Sequence, residues 1–170
     1  MKARSFEPVE YRKEFEPLLI TFLEECLPES HRKLDIDGRH SYYLHIKVHF
    51  KGFWCLFDED RIIGTVAVSE LSSESCELKS LYLFEKYQGM GYGKKLLLYA
   101  IENARKLGYK KMYLDSLSTS DRAIALYRKA GFKDTERYNT NFHADVFMVL
   151  DLDRTNGGEQ YGDQIFRRER

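Results

Sequence analysis

A glycine-rich turn between a predicted strand and a predicted helix constrains the fold more than any other feature of this sequence. The turn is Gln88–Gly93, in which glycine occupies three of six positions, and it follows a strand predicted over Cys76–Leu83. After the turn, small and apolar residues from Gly93 to Ala104 recur at helical spacing, and Gly108 stands where a helix C-terminus favours glycine. A strand that passes through a short turn into a helix predicts a fold in which helices pack on a sheet.

The chemistry of this turn favours an anion site. Glycines allow backbone N–H groups to crowd around an oxyanion, and the first turn of the helix adds unpaired donors and the positive end of its dipole. We therefore expect the turn to bind a pyrophosphate, with Lys94 and Lys95 adding positive charge. The alternative is a turn whose glycines serve close packing alone. A dinucleotide fingerprint and a Walker loop are both excluded, because they require glycine where Lys94 and Gln88, respectively, stand.

The N-terminal half of the chain shows one helical pattern and one hairpin pattern. Residues 11–27 have apolar side chains at helical spacing despite Pro17, whereas residues 39–50 fit a helix or a loop. Residues 53–57 form an apolar run, and residues 62–68 form a second run that is rich in β-branched side chains. An acidic turn separates the two runs. These two runs predict a β-hairpin.

The C-terminal half continues with strand, helix and two strands. A short strand is predicted at residues 111–115, and Ser118–Asp121 resembles a capping box that opens a helix running to Lys129. Two more strands are predicted at residues 132–138 and 145–150. Together these elements predict an α/β fold, or α+β by stricter accounting, built on a mixed sheet.

Composition and length limit the classes of partner and the domain organisation. Lys plus Arg and Asp plus Glu number 27 each, so no global attraction to nucleic acid or to an anionic membrane is expected. The longest apolar run, residues 96–101, is far shorter than the roughly 20 residues that cross a bilayer. Residues 1–152 are predicted to form a single domain, and residues 153–170 a polar tail or extension. The N-terminus lacks a signal-peptide core, which predicts a cytoplasmic location.

The cysteines argue against a disulfide framework and against a zinc site. Cys26, Cys55 and Cys76 are odd in number, widely separated and without a Cys-x-x-Cys pair. We expect buried or half-buried free thiols and no bound metal.

Two motifs, taken together, resemble those of the GNAT superfamily of N-acyltransferases. The segment Gln88-x-x-Gly91-x-Gly93 resembles the pyrophosphate loop of that family, and Leu81–Leu83 resembles its pantetheine-contacting strand. Residues 122–132 resemble its second signature, in the right order and separation, and the likeness covers roughly residues 53–150. The resemblance implies a GNAT-like mixed, mostly antiparallel twisted sheet of about six to seven strands with about four flanking helices, in which central strands splay apart beside a bulge.

The resemblance also implies acetyl-CoA as the cosubstrate. Backbone groups of Leu81 and Leu83 are expected to bind the pantetheine arm, and the Leu83 N–H is expected to polarise the thioester carbonyl. The implied cofactor-binding residues are Leu81, Tyr82, Leu83, Gln88, Gly89, Met90, Gly91, Tyr92, Gly93, Lys94, Ser120, Ala123 and Tyr127. Ser120 departs from the asparagine often found there in the family, and its shorter reach weakens the expected contact with the pantetheine arm.

Two side chains are expected to move protons during acetyl transfer. An amine must be neutral to attack, and a lysine-like amine has a pKa of about 10.4. Glu77, eleven residues before Gln88, matches the catalytic glutamate of some protein-acetylating members of the family and is the candidate general base. Tyr127 matches the tyrosine that protonates the departing thiolate. The alternatives are a surface carboxylate at Glu77 and a core tyrosine at Tyr127.

The acceptor is the least constrained part of the prediction. The resemblance implies a polar, aromatic acceptor pocket drawn from Glu24, Glu25, Tyr42, Tyr43, His45, His49, Asn141 and His143. Glu24 and Glu25 also fit a solvated helix end, and His45 and His49 are expected to be surface residues and not metal ligands. We expect direct attack in a ternary complex by an amine-bearing acceptor, a small molecule in preference to a protein, on a monomer or homodimer. The alternatives are a CoA-binding regulatory module without turnover and a protein- or peptide-modifying enzyme.

Overall fold

The computed structural model describes residues 6–153, which contain seven strands and four α-helices. The strands are β1 (Val9–Glu10), β2 (Gly52–Asp58), β3 (Arg61–Glu70), β4 (Ser75–Leu83), β5 (Lys111–Ser116), β6 (Lys133–Asp134) and β7 (Val146–Asp151). The α-helices are α1 (Glu16–Cys26), α2 (Ile46–His49), α3 (Tyr92–Lys106) and α4 (Asp121–Lys129). Short 3-10 helices lie at Lys13–Phe15, Leu27–Ser30, Ser41–Leu44 and Glu85–Tyr87.

The strands form one mixed sheet in the order β1-β2-β3-β4-β5-β7-β6. The pairs β1–β2, β2–β3, β5–β7 and β6–β7 are antiparallel, whereas β4 and β5 are parallel. The parallel pairing covers Ser75–Lys111, Cys76–Met112 and Glu77–Tyr113, although both strands continue beyond these residues. The predicted fold class is therefore confirmed, and this partial pairing is what the prediction of splayed central strands requires.

The chain divides into two compact units, and the division falls inside β4. Residues 6–70 and 78–100 form the first unit, and residues 71–77 and 101–153 form the second. In the first unit α1 packs against β3, and its buried face consists of Leu19, Phe22, Leu23 and Cys26. The second unit is built on the β5–β7 ladder, in which Met112 opposes Leu150 and Leu114 opposes Met148, all four buried. Burial of each such side chain contributes about 1.5–3 kcal/mol.

The helical predictions hold where the apolar spacing is regular. Helix α3 and the left-handed Gly108 that follows it, with φ +90°, agree with the predicted helix and its C-terminal cap. Helix α1 begins at Glu16, five residues later than predicted, because Pro17 lies in its first turn, where a missing N–H costs no hydrogen bond. Residues 39–50, for which helix and loop were both open, contain one 3-10 helix and the four-residue helix α2.

Two predictions in the C-terminal half are wrong in detail. The strand predicted over residues 132–138 is reduced to β6, because Arg137 donates to the carbonyls of Asn141 and Ala144, at 2.8 and 3.1 Å, and folds this segment into a loop. The predicted capping box is absent from the start of α4, where the N-cap is Ser120 without a side-chain cap bond.

Ser118, the first residue of that predicted box, bonds elsewhere. Its N–H and hydroxyl donate to the Asp145 carboxylate at 2.7 and 2.6 Å. These two bonds lower the pKa of Asp145 below its ordinary value. Ser118 therefore ties the start of β7 to the α4 segment instead of capping the helix.

Other sequence-based expectations can be compared with residues 6–153. Cys26, Cys55 and Cys76 are buried free thiols, as predicted. Over that range no helix combines the length and apolar character needed to cross a bilayer, and no three His, Cys, Asp or Glu side chains gather as a metal site would require. Strand β1, which pairs Val9 with Cys55 on β2, was not predicted. Residues 154–170, most of the predicted tail, lie outside the described range.

Candidate active site

The second half of β4 carries a local change of backbone direction. Ser80 has a φ of +54°, which is unusual for a residue with a side chain and rare inside a strand. Its carbonyl accepts a hydrogen bond of 2.6 Å from the Thr65 hydroxyl on β3. Leu81, Tyr82 and Leu83 follow it at the end of the strand, and all three are half-buried. A single left-handed residue in a strand re-aims the residues that follow, as a β-bulge does.

The glycine-rich turn adopts the open conformation that an anion site needs. Gly89 has a φ of +79° and Gly91 a φ of +89°, and a Cβ added at either would meet no atom within 4 Å. These glycines are therefore required by backbone geometry and not by close packing, so the packing-only alternative is not supported. The Gln88 side-chain amide donates to the Leu83 carbonyl at 3.2 Å and ties the turn to the end of β4.

The turn leads directly into α3, a helix of 15 residues. The Lys95 N–H donates to the Gly91 carbonyl at 3.0 Å, so the turn already belongs to the helix hydrogen-bond ladder. The Lys95 ammonium contacts the Phe6 carbonyl at 2.7 Å and pairs with the Glu7 carboxylate. Lys95 is thus held by the N-terminal segment, whereas Lys94 is exposed at the start of the helix.

Glu77 lies in the second unit and is buried, with 6% exposure. Its Oε2 accepts a hydrogen bond of 2.6 Å from the Tyr138 hydroxyl and one of 3.3 Å from the Asn139 amide. The same Asn139 nitrogen donates to Asp115 Oδ2 at 2.6 Å. The alternative of a surface carboxylate at Glu77 is therefore wrong.

Tyr138 keeps the hydroxyl proton that it donates to Glu77. Burial, followed by the negative charge of Glu77 and its hydrogen bond, raises the pKa of Tyr138 well above its ordinary value. The ring is held between Tyr113, at 4.9 Å between centroids, and Phe147, at 5.8 Å. Sequence analysis missed Tyr138, Asn139 and Asp115 as neighbours of Glu77, since no local pattern connects a residue of β4 with a loop that lies 61 residues away.

The second signature forms α4 and its flanks, also in the second unit. Tyr127 is 8% exposed, and its ring meets Phe132 edge-on at 5.9 Å between centroids. Ser120, at the N-cap, and Ala123, in the first turn, are half-buried. The second unit thus contains the candidate base Glu77 and three of the predicted cofactor-binding residues, Ser120, Ala123 and Tyr127. The first unit contains the remaining predicted cofactor-binding residues.

The predicted acceptor residues are distributed over both units, with Asn141 and His143 in the second unit and the others in the first. Tyr42 and Tyr43 belong to an aromatic cluster of the first unit, with ring centroids 4.6 Å apart. Glu25 pairs with Arg61, which fits the solvated-face interpretation of that helix end. The remaining members are exposed, namely Glu24, His45, His49, Asn141 and His143.

Comparisons with known proteins agree with this architecture. The Acetyltransferase (GNAT) family matches residues 13–132. Among curated relatives, the uncharacterized N-acetyltransferase YjgM of Escherichia coli is 36% identical over 84 residues, which cover 48% of this chain and 50% of YjgM. The N-acetyltransferase C1271.07c of Schizosaccharomyces pombe is 40% identical over 94 residues, which cover 54% of this chain and 58% of that protein. The matches therefore span about half the length of these relatives.

Solved structures show the same fold at lower sequence identity. A GNAT acetyltransferase of Staphylococcus aureus superposes with a TM-score of 0.77 at 20% identity, over 87% of this chain and 99% of the other. The Salmonella typhimurium acetyltransferase YncA, solved with acetyl-CoA, gives 0.70 at 20% identity, over 92% and 99%. A family match to more than half of the residues, on a fold of this topology, establishes that the chain belongs to the GNAT acetyltransferase family.

Proposed function

We propose that this protein transfers an acetyl group from acetyl-CoA to a primary amine of a small molecule or peptide, by direct attack in a ternary complex. The observation that carries the proposal is the turn at Gly89 and Gly91, at the N-terminus of a long helix. Both glycines have left-handed backbones, and an added Cβ at either would meet no atom within 4 Å. Such a turn presents backbone N–H groups and a positive dipole end to a diphosphate. The acetyl-CoA bound by the related fold of YncA supports the same ligand.

The proposed cofactor contacts follow the chain from strand to helix. Backbone groups of Leu81 and Leu83 bind the pantetheine arm as an added strand would. The turn from Gln88 to Lys94 binds the diphosphate, and Ser120 and Ala123 at the start of α4 contribute the remaining contacts. The bond from Gln88 to the Leu83 carbonyl, at 3.2 Å, keeps the strand end and the turn in register.

The proposed chemistry exchanges one bond for another. Acetyl-CoA supplies an activated acyl group as a thioester. The amine nitrogen bonds to the acyl carbon, the carbon–sulfur bond breaks, and the acetylated amine and CoA are the products. The Leu83 N–H polarises the thioester carbonyl, where a backbone donor is worth on the order of a hundredfold in rate.

Glu77 and Tyr127 carry the protons in this proposal. Glu77, directly or through water, takes the proton that the attacking amine must lose, and Tyr127 donates a proton to the leaving thiolate. The bonds from Tyr138 and Asn139 to the same Glu77 oxygen hold the carboxylate in one orientation.

Unpaired buried cysteines support the proposed cytoplasmic location, since free thiols persist in a reducing compartment.

Calorimetry tests the cofactor and a thiol assay tests turnover. We expect acetyl-CoA to bind the purified full chain, and S-acetylpantetheine, which keeps the thioester but lacks the diphosphate, to bind far more weakly. Incubation with acetyl-CoA and a panel of amines is expected to release free CoA thiol. Absence of acetyl-CoA binding by the folded protein overturns the proposal. Binding without thiol release on any small amine or peptide identifies a CoA-binding module instead.

A further inference from the structure

Ser80 holds an unfavourable backbone conformation at the point where β4 changes direction. Side-chain-bearing residues avoid positive φ because Cβ approaches the carbonyl oxygen, and Ser80 has a φ of +54° without the freedom of glycine. It directly precedes Leu81–Leu83, the segment proposed to bind the pantetheine arm. A strained residue persists when its surroundings hold it, so the groups that touch Ser80 are the relevant ones.

Two hydroxyl groups hold Ser80, one on its backbone and one on its side chain. The Thr65 hydroxyl donates to the Ser80 carbonyl at 2.6 Å, and the Tyr43 and Ser80 hydroxyls share a hydrogen bond of 2.8 Å. Thr65 is 0% exposed and Tyr43 is 1% exposed. Because a buried hydroxyl is costly unless it is hydrogen-bonded, each of these bonds fixes Ser80 in place.

The Thr65 hydroxyl lies in a buried stretch of β3 where an apolar side chain would pack as well. Thr65 stands in the run Ile62–Val68, whose other members are apolar or glycine, and the run is buried throughout. Valine has the same shape and suits a buried strand equally well, so packing does not require a hydroxyl at this place. The hydroxyl instead serves its hydrogen bond to the Ser80 carbonyl.

Tyr43 approaches Ser80 from a different part of the first unit. Its ring stacks on Phe50 at 6.3 Å and meets Phe53 edge-on at 6.3 Å, which orients the phenol toward β4. Burial, followed by the neighbouring Tyr82 and Tyr42, raises the pKa of Tyr43 well above its ordinary value, so the phenol stays protonated at neutral pH.

We propose that Thr65 and Tyr43 are positioning residues for acetyl-CoA. They hold Ser80 in the left-handed conformation, and Ser80 in turn aims the backbone of Leu81–Leu83 at the pantetheine arm and the thioester carbonyl. This inference rests on the proposed function. It assigns a cofactor-positioning role to Tyr43, which the sequence placed among the acceptor residues.

Matched substitutions separate positioning from simple packing. Thr65→Val removes the hydroxyl and keeps the shape, whereas Thr65→Ser keeps the hydroxyl. We expect Thr65→Val to raise the Kd of acetyl-CoA about tenfold, the worth of one hydrogen bond, and Thr65→Ser to stay within about twofold of wild type. Calorimetry gives the Kd, and steady-state kinetics are expected to show a raised KM for acetyl-CoA with an unchanged KM for the amine.

Tyr43 is tested by a double-mutant cycle with Ser80. If the two hydroxyls act through their shared bond, Tyr43→Phe and Ser80→Ala each weaken acetyl-CoA binding, and the double variant is no weaker than the worse single variant. Tyr11→Phe is the control, since Tyr11 is also buried and its ring also packs on Phe53, at 5.7 Å. We expect Tyr11→Phe to leave acetyl-CoA binding unchanged.

The outcomes distinguish this inference from the proposed function. If wild type binds acetyl-CoA and the folded Thr65→Val and Tyr43→Phe variants bind it equally well, with lowered melting temperatures alone, the positioning role is wrong. A raised amine KM in Tyr43→Phe with normal acetyl-CoA binding also overturns it, in favour of an acceptor role. If Thr65→Val does not fold, the Tyr43–Ser80 cycle decides. Failure of wild type itself to bind acetyl-CoA defeats the proposed function instead.

Discussion

At the scale of single residues, Glu77 is the carboxylate whose surroundings best fit proton transfer. It is 6% exposed, and Tyr138 and Asn139 both donate to its Oε2. Glu74, three residues earlier, is exposed and pairs with Lys110 at 3.0 Å, which is the ordinary situation of a surface carboxylate. The contrast makes Glu74 a natural control for Glu77.

Glu77→Gln keeps the size of the side chain and removes its capacity to accept a proton. We expect kcat to fall about a hundredfold or more at neutral pH, as is typical for loss of a general base, with the Kd of acetyl-CoA unchanged. Glu74→Gln is expected to retain full activity. Equal kcat values in the two variants would remove Glu77 from the mechanism.

Tyr127→Phe removes the hydroxyl proposed to protonate the leaving thiolate. Because the ring still fills its place beside Phe132, we expect folding and acetyl-CoA affinity to change little while kcat falls by about a hundredfold. Tyr109, with the same 8% exposure, provides the control Tyr109→Phe. Unchanged turnover in Tyr127→Phe would contradict the general-acid role and favour a core tyrosine.

At the scale of elements, the turn between β4 and α3 is the segment proposed to bind the diphosphate of acetyl-CoA. Gly91 and Gly108 stand at the two ends of α3 with nearly equal φ, +89° and +90°, and an added Cβ would meet no atom within 4 Å at either place. The two glycines therefore face the same conformational cost on substitution, while the proposed function assigns a ligand to the turn at Gly91 alone.

Gly91→Ala and Gly108→Ala form a matched pair. Each is expected to lower the free energy of unfolding by about 1–2 kcal/mol, the penalty for an L-residue at positive φ. We expect Gly91→Ala alone to weaken acetyl-CoA binding by calorimetry, because its Cβ would enter the open space at the turn that is proposed to bind the diphosphate. Equal acetyl-CoA affinity in the two variants, both folded in thermal melts, would contradict a diphosphate site at this turn.

At the scale of the whole molecule, burial of ionisable groups sets the response to alkaline pH. Desolvation raises the pKa of Cys26, Cys55 and Cys76 to about 12 each. A raised pKa means that the folded state retains a proton that the unfolded chain releases above its ordinary thiol pKa. The stabilisation is thus complete below pH 9 and is lost as the pH rises from about 9 toward 12.

Urea unfolding at pH 8, 9 and 10 measures this effect. We expect the free energy of unfolding to fall above pH 9, by up to about 1.4 kcal/mol per pH unit for each buried thiol. Cys55→Ala, which removes one of the two thiols with 0% exposure, is expected to reduce that slope. A disulfide-exchange reagent is expected to label the thiols readily in urea and slowly in the folded protein, whereas rapid labelling of the native protein would contradict their burial.

Much of the fold follows from local patterns in the sequence. The apolar spacing of α3, the hairpin of β2 and β3, and the glycine turn at Gln88–Gly93 are properties of neighbouring residues, and the structure has them where they were predicted. The family motifs are local as well, since each lies within a short segment of chain. Periodicity and turn chemistry act over a few residues, so a single sequence contains enough information to place these elements.

The contacts that give the site its character come from residues far apart in the chain. Tyr138 meets Glu77 across 61 residues, and Tyr43 meets Ser80 across 37. The loop around Arg137 replaced most of a predicted strand for a more local reason, since its side-chain bonds to carbonyls four and seven residues further along the chain outweighed strand propensity. Long-range hydrogen bonds depend on which surfaces the folded chain brings into contact, and that information is absent from the spacing of residues along the sequence.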